Sequence, residues 1–202
     1  PTLQLSQEDN FGHSVANIGD VNGDGITDIA VGASQQDRGN AAADLETGAV
    51  YIIFLDIDGD VKSFQKIDES NGNFNDILKK NDRFGWAVAS PGDINGDGVP
   101  ELAVSAPQKD DGGSDRGAVW ILFLDNNGMV LSEQKISSTS GNFPTSVLAR
   151  KDKFGSSLSA AGDLNDDGIF DLIVGARHDD DGEKDAGSMW VVFLQADATV
   201  LS

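Results

Sequence analysis

Residues 11–33 read FGHSVANIGDVNGDGITDIAVGA, and the same arrangement returns as FGWAVASPGDINGDGVPELAVSA at 84–106 and FGSSLSAAGDLNDDGIFDLIVGA at 154–176. The Phe-Gly pairs Phe11-Gly12, Phe84-Gly85 and Phe154-Gly155 lie 73 and 70 residues apart. From each Phe to the small pair opened by Gly32, Ser105 or Gly175 the distance is 21 residues, with no insertion or deletion. Self-similarity at one fixed period is the signature of a repeat architecture, so each copy is one structural unit that buries itself against the next. Length variation sits between that pair and Gly48, Gly117 or Gly187, where the first copy carries four extra residues around 41–44. A rigid scaffold with one variable loop has that pattern.

Each copy holds four strand candidates. One follows Phe-Gly (HSVANI, WAVASP, SSLSAA), and the second is DIAVGA, ELAVSA or DLIVGA. The third, AVYIIFL, AVWILFL or SMWVVFL, is apolar over seven residues, which implies burial on both faces. The fourth, VKSFQKI or VLSEQKI, mixes charged and apolar residues as an outer edge does. Four strands with one doubly buried do not make a self-sufficient sandwich. They suit a propeller blade, whose sheet packs on a neighbour at each side. The expected fold is therefore all-β, three four-stranded antiparallel blades that form part of a larger ring, with repeats at about 1–70, 71–140 and 141–202, the last truncated. A β-solenoid is the alternative. Three blades cannot close a ring, so further blades are expected from a longer parent chain or a second copy. The outward faces of AVYIIFL and SMWVVFL would be the two open ends.

Composition narrows the function. The 202 residues include 34 acidic and 14 basic side chains, a formal charge of −20 that argues against a nucleic-acid partner. There is no cysteine, which removes disulfides and thiolate metal sites. No apolar run approaches a membrane span, so no membrane insertion by this segment is expected.

Nine residues after each Phe an acidic loop begins: DVNGDGITD (20–28), DINGDGVPE (93–101) and DLNDDGIFD (163–171). Positions 1, 3, 5 and 9 offer oxygen side chains, namely Asp20, Asn22, Asp24 and Asp28; Asp93, Asn95, Asp97 and Glu101; and Asp163, Asn165, Asp167 and Asp171. Position 7 (Ile26, Val99, Ile169) would contribute its carbonyl while its side chain enters the core. Three carboxylates and one amide oxygen in a tight Gly-containing loop suit calcium, which takes six to eight hard oxygens at flexible geometry. Magnesium wants a stricter octahedron, and zinc wants His or Cys. An EF-hand would need a Glu at position 12, where Val31, Val104 and Val174 stand. The plainer alternative is a hairpin turn without metal. One Ca2+ per repeat, three in all, is the expectation.

At these residues the chain resembles the FG-GAP repeat family, the repeat of integrin α heads and many bacterial surface proteins. The third marker departs from Gly-Ala-Pro, reading GAS at Gly32, SAP at Ser105 and GAR at Gly175. The resemblance implies an extracellular or cell-surface propeller with structural calcium in loops on one face. It also implies a protein or carbohydrate ligand on the opposite face. Loops 34–47, 107–116 and 177–186, with the connections 68–83 and 137–153, would form that second face. The same repeat accompanies lyase, lipase and adhesin domains, so an accessory domain of a secreted enzyme is the alternative to an adhesion module.

Catalysis by the chain itself is not expected: His13, Trp86 and Ser156 share one repeat position but not one chemistry, and His178 lies in another register. Asp110, Asp111, Asp115, Asp179, Asp180, Asp181 and Asp185 read as solvated acidic loops, or as holders of a second cation or a cationic group of a partner. Tyr51, Trp120 and Trp190 share one position in the buried strand and read as packing between blades.

Overall fold

A computed structural model describes residue 3, residues 5–37 and residues 45–201; the extra residues 41–44 of the first copy lie outside the described residues. Eleven strands and no helix appear among the described residues. β1 (Phe11–Gly19), β2 (Asp28–Ala33), β3 (Ala49–Leu55) and β4 (Val61–Ile67) form one antiparallel sheet in chain order. β5 (Val88–Gly92), β6 (Glu101–Ala106), β7 (Ala118–Leu124) and β8 (Val130–Ser137) form the second. β9 (Phe154–Gly162), β10 (Asp171–Ala176) and β11 (Ser188–Val192) form the third, where a bridge from Leu194 to Val200 stands in the place of a fourth strand. This up-and-down order is that of propeller blades.

The period-2 alternation of the third strand explains how the blades stack. On one side of β3, Val50, Ile52 and Phe54 join Leu102, Val104, Trp120 and Leu122 of blade 2 in one core. The other side of β7, Val119 and Ile121, packs with Leu172, Val174 and Val192 of blade 3. Trp120 is fully buried, in edge contact with Phe84 at 5.6 Å and with Phe74 at 5.9 Å. Offset and edge arrangements of aromatic rings add to what area burial alone contributes.

The Phe-Gly and Gly-Ala markers meet each other across the seam between blades. Phe84 and Phe154 fill the two seams, and their backbones pair in parallel with Gly48 and Gly117. Gly85 has φ +83°, and a Cβ there would lie 2.2 Å from the Ala49 carbonyl oxygen; a Cβ on Gly32 would lie 2.0 Å from the Gly85 carbonyl oxygen. Two backbones touch at that point, so neither position tolerates a side chain. At the next seam the Gly-Ala marker departs to Ser105, whose hydroxyl accepts from Ala87 N at 3.0 Å.

Of the two ends expected to be open, one is closed. The outward face of AVYIIFL is not open: Ala49, Tyr51 and Ile53 are buried, with Leu3, Phe11 and Phe64 packed against them. SMWVVFL is buried on one face only, since Met189 and Val191 are 64% and 40% exposed. Their counterparts Val119 and Ile121 are fully buried because blade 3 covers them. No helix among the described residues is long and apolar enough to cross a membrane.

Candidate metal centre

All three acidic loops join the first strand of a blade to its second. Position 6 must turn left-handed, and Gly25, Gly98 and Gly168 stand there at φ +84°, +90° and +90°. The loops are closed by their own side chains. Asp20 Oδ1 accepts from Gly23 N (2.8 Å) and Asp24 N (3.1 Å), and its Oδ2 accepts from Gly25 N (2.8 Å). Asp93 repeats all three bonds with Gly96, Asp97 and Gly98. Asp163 repeats two, with Asp167 and Gly168. Position 3 then accepts from the N–H of position 5, and position 5 from that of position 7, in every copy. The loop's own backbone donors thus hold the carboxylates in place. Val99 is buried between blades, while Ile26 and Ile169 are half-buried.

Position 9 opens the second strand and is buried in each copy. Asp28 spends one oxygen on Val21 N (3.1 Å) and the other on Leu55 N (3.2 Å); Asp171 does the same with Leu164 N (2.9 Å) and Leu194 N (3.1 Å). Glu101 is one methylene longer. Its Oε2 accepts from Ile94 N at 2.7 Å, and its Oε1 reaches Asn95 Nδ2 at 3.3 Å. As a result Asp93, Asp97 and Glu101 bring one carboxylate oxygen each within 4.8 Å of one another, the one acidic group that meets this spacing among the described residues. Burial pushes the Glu101 carboxyl up to about 7, with the charges of Asp97 and Asp93 adding to it. Burial likewise raises Asp28.

Loop 1 carries a residue that the motif did not reveal. Lys62, in β4, donates to Asp24 Oδ2 at 2.9 Å and holds that carboxyl below its usual range. The corresponding residue of blade 2 is Leu131, so no repeated signal pointed to it. Asn22, Asp24 and Lys62 line a groove of about 460 Å³ with Asn126 and Asn127 of the blade 2 hairpin. The acidic loops and the hairpins between third and fourth strands therefore share one end of the blades. At the other end the connections between blades meet the variable loops: Asn81 N donates to Leu45 O (2.7 Å), and Lys151 N to Ser114 O (3.0 Å).

The remaining conspicuous residues are accounted for by local structure. Asp111 pairs with Lys135 at 2.7 Å, Asp110 accepts from Asp115 N at 2.9 Å, and Asp185 meets His178 Nδ1 at 3.0 Å. His13 packs against Trp86 with the rings tilted and their centroids 4.4 Å apart, and Trp86 donates to Ser156 O at 3.2 Å, so the three residues line up from blade to blade.

The FG-GAP repeat pattern matches residues 11–53, 84–122 and 154–192, more than half of the chain. The chain belongs to the FG-GAP repeat family. This FG-GAP segment is 39% identical over 167 residues to integrin alpha-IIb of Mus musculus, a match that covers 82% of the chain and 15% of the relative. It is 38% identical over 168 residues to integrin alpha-V of Gallus gallus, with the same coverages, and 32% identical over 171 residues to integrin alpha-PS2 of Drosophila melanogaster, covering 84% and 12%. The chain thus spans less than a sixth of the length of these relatives. It is an integrin α-like set of β-propeller blades.

Proposed function

We propose that this segment is a calcium-binding part of an extracellular or cell-surface adhesion propeller, in which calcium is structural and no chemistry is performed. The observation that carries this reading is the convergence of Asp93, Asp97 and Glu101, a buried acid included, without a cationic side chain among their hydrogen-bond and ion-pair partners within the described residues. Three carboxylates so placed repel one another, and a bound divalent cation would supply the missing positive charge. The residues that would hold it are Asp93, Asn95, Asp97, Glu101 and the carbonyl of Val99, with the matching five in loops 1 and 3. In loop 2, anchoring to backbone N–H groups fixes the carboxylates with one oxygen of each within 4.8 Å of the others. The metal would tie the first strand of each blade to the second, where the loop has no core of its own.

The ligand, a protein or a carbohydrate, would be met at the opposite end, on the loops that differ from blade to blade. Further blades from the parent chain would continue the ring. The calcium role is tested by thermal unfolding of the chain with calcium and with excess chelator. A melting temperature lowered by several degrees in chelator and restored by calcium is expected; coincident melting curves would end the structural reading.

A further inference from the structure

Outside the acidic loops, each blade has a second buried polar pair at one repeat position. Asp9, Asp82 and Asp152 each stand two residues before the Phe of Phe-Gly, and each is buried. Their Oδ2 atoms accept from Ser6 N (2.7 Å), Lys79 N (2.8 Å) and Ala149 N (2.6 Å), so the three are structurally equivalent. Their partners Gln36, Lys109 and Asp179 are equivalent too. Each donates its N–H to Ala33, Ala106 or Ala176 (3.1, 3.1 and 3.3 Å), and each carbonyl accepts from Gly48, Gly117 or Gly187 (2.9, 3.1 and 3.0 Å).

What differs is the charge. In blade 1 the Gln36 amide donates to Asp9 Oδ2 at 2.8 Å. In blade 2 the Lys109 ammonium lies 2.9 Å from Asp82 Oδ2, also donates to the Ile77 carbonyl, and sits 5.8 Å from the Trp120 ring centre. A buried carboxylate is thereby matched by a buried cation. In blade 3 the residue at the lysine's position is a second acid. Asp152 and Asp179 are 1% and 2% exposed. The Asp179 oxygens accept from Asp181 N (2.9 Å) and Ser188 Oγ (2.6 Å). Asp152 Oδ1 is buried with no hydrogen-bond partner. Its carboxyl is pushed up by burial and then by the charge of Asp179, with Asp181 and Asp180 adding. Two buried acids whose charges act on each other are unfavourable unless something neutralises them.

We propose that blade 3 binds a free divalent cation, calcium by the hardness of its donors, between Asp152 and Asp179, the two positions where blade 2 pairs Asp82 with Lys109. The charges decide the valence. Blade 2 sets one carboxylate against one positive charge, and blade 3 sets two carboxylates against the cation. The donors are the Asp152 carboxylate, whose Oδ1 has no partner and whose Oδ2 is the counterpart of the oxygen that meets Lys109, the Asp179 carboxylate, and the carbonyl of Val147, which corresponds to Ile77. The site rests on this comparison between blades and not on the acidic loops.

The test counts calcium per chain by equilibrium dialysis for the whole 202-residue protein and for Asp179→Lys, which installs the blade 2 residue. The variant is expected to bind one equivalent fewer and to melt higher than the parent in excess chelator, because its ammonium replaces the ion. Asp152→Asn, close in shape, serves as the second variant and should also lose one equivalent. Unchanged stoichiometry in both variants would overturn the site, and a raised melting temperature alongside it would show that the two acids share a proton instead. Failure of the acidic loops to bind calcium would lower the count in parent and variants alike and leave the difference between them readable.

Discussion

The Lys62 ammonium lies 2.9 Å from Asp24 Oδ2, so the first acidic loop already holds a cation on a side chain that calcium would need. Both groups are exposed, and such a pair contributes little to folding. Its effect on a divalent ion is larger, because the ammonium occupies a ligand and repels a like charge at short range. Lys62→Leu, the blade 2 residue, should raise calcium affinity at loop 1 by roughly 3- to 10-fold, and added salt should shrink the gain. Calorimetric titration of parent and variant at two salt concentrations measures it. Equal affinities would mean that the ammonium swings away at no cost.

The middle loop should respond to pH. Glu101 ionises near 7 in the folded chain against an ordinary value of 4.5, so between those values the folded state binds more protons than the unfolded one. Stability in chelator should therefore fall as pH rises through that window, by about 3 kcal/mol at most. Glu101→Gln lacks the titration. In chelator its stability should match the parent near pH 4 and exceed it above pH 7. In calcium the order should invert, since the parent keeps a ligand the variant has lost. Parallel pH curves for the two proteins in chelator would refute the assignment.

Much of this was legible because physics repeats with the sequence. The strands β2, β3, β4, β6 and β7 begin and end with the stretches DIAVGA, AVYIIFL, VKSFQKI, ELAVSA and AVWILFL. The acidic loops were legible from their alternate oxygens and their position 6 glycines. Lys62 was not, since a ligand's competitor comes from a strand 38 residues away and has leucine as its counterpart. The Asp before Phe-Gly was visible in all three copies, but its role depends on residues 36, 109 and 179, which are unlike one another. Nor could periodicity say that the AVYIIFL face would be covered by Leu3 and by aromatic rings of its own sheet.

The seams between blades should be intolerant of a single methyl group. Gly117 has φ +87°, and a Cβ there would lie 2.1 Å from the Phe154 carbonyl oxygen. Gly59, at a hairpin tip, has φ +83° with nothing within 4 Å of the added atom. Gly59→Ala should cost about 1 kcal/mol from backbone strain alone. Gly117→Ala adds a clash with a backbone that is hydrogen-bonded on both sides, so its cost should exceed that of the control by about 2 kcal/mol or more. Urea unfolding of both variants in calcium gives the comparison, and equal costs would show that the seam can open without penalty.

The last prediction concerns the open end. Met189, Val191 and Leu164 are exposed on blade 3, whereas Val119, Ile121 and Ile94 at the same positions of blade 2 are buried against the next blade. The end at blade 1 is different, because Tyr51 and Ile53 are already covered. A head-to-tail ring of identical arcs needs two receptive ends, and this chain has one. Its apolar face can meet only the same face of a second copy, which gives a closed twofold pair. The isolated chain, 21.2 kDa as a monomer, should therefore run as a dimer in calcium buffer by light scattering, with dissociation on dilution. Met189→Lys with Val191→Lys should return it to the monomer without loss of melting temperature at low concentration, since both side chains point to solvent in the single chain. A parent that stays monomeric at high concentration would show that the blade 3 face is stable in water, and assemblies larger than two would show that the blade 1 end opens after all.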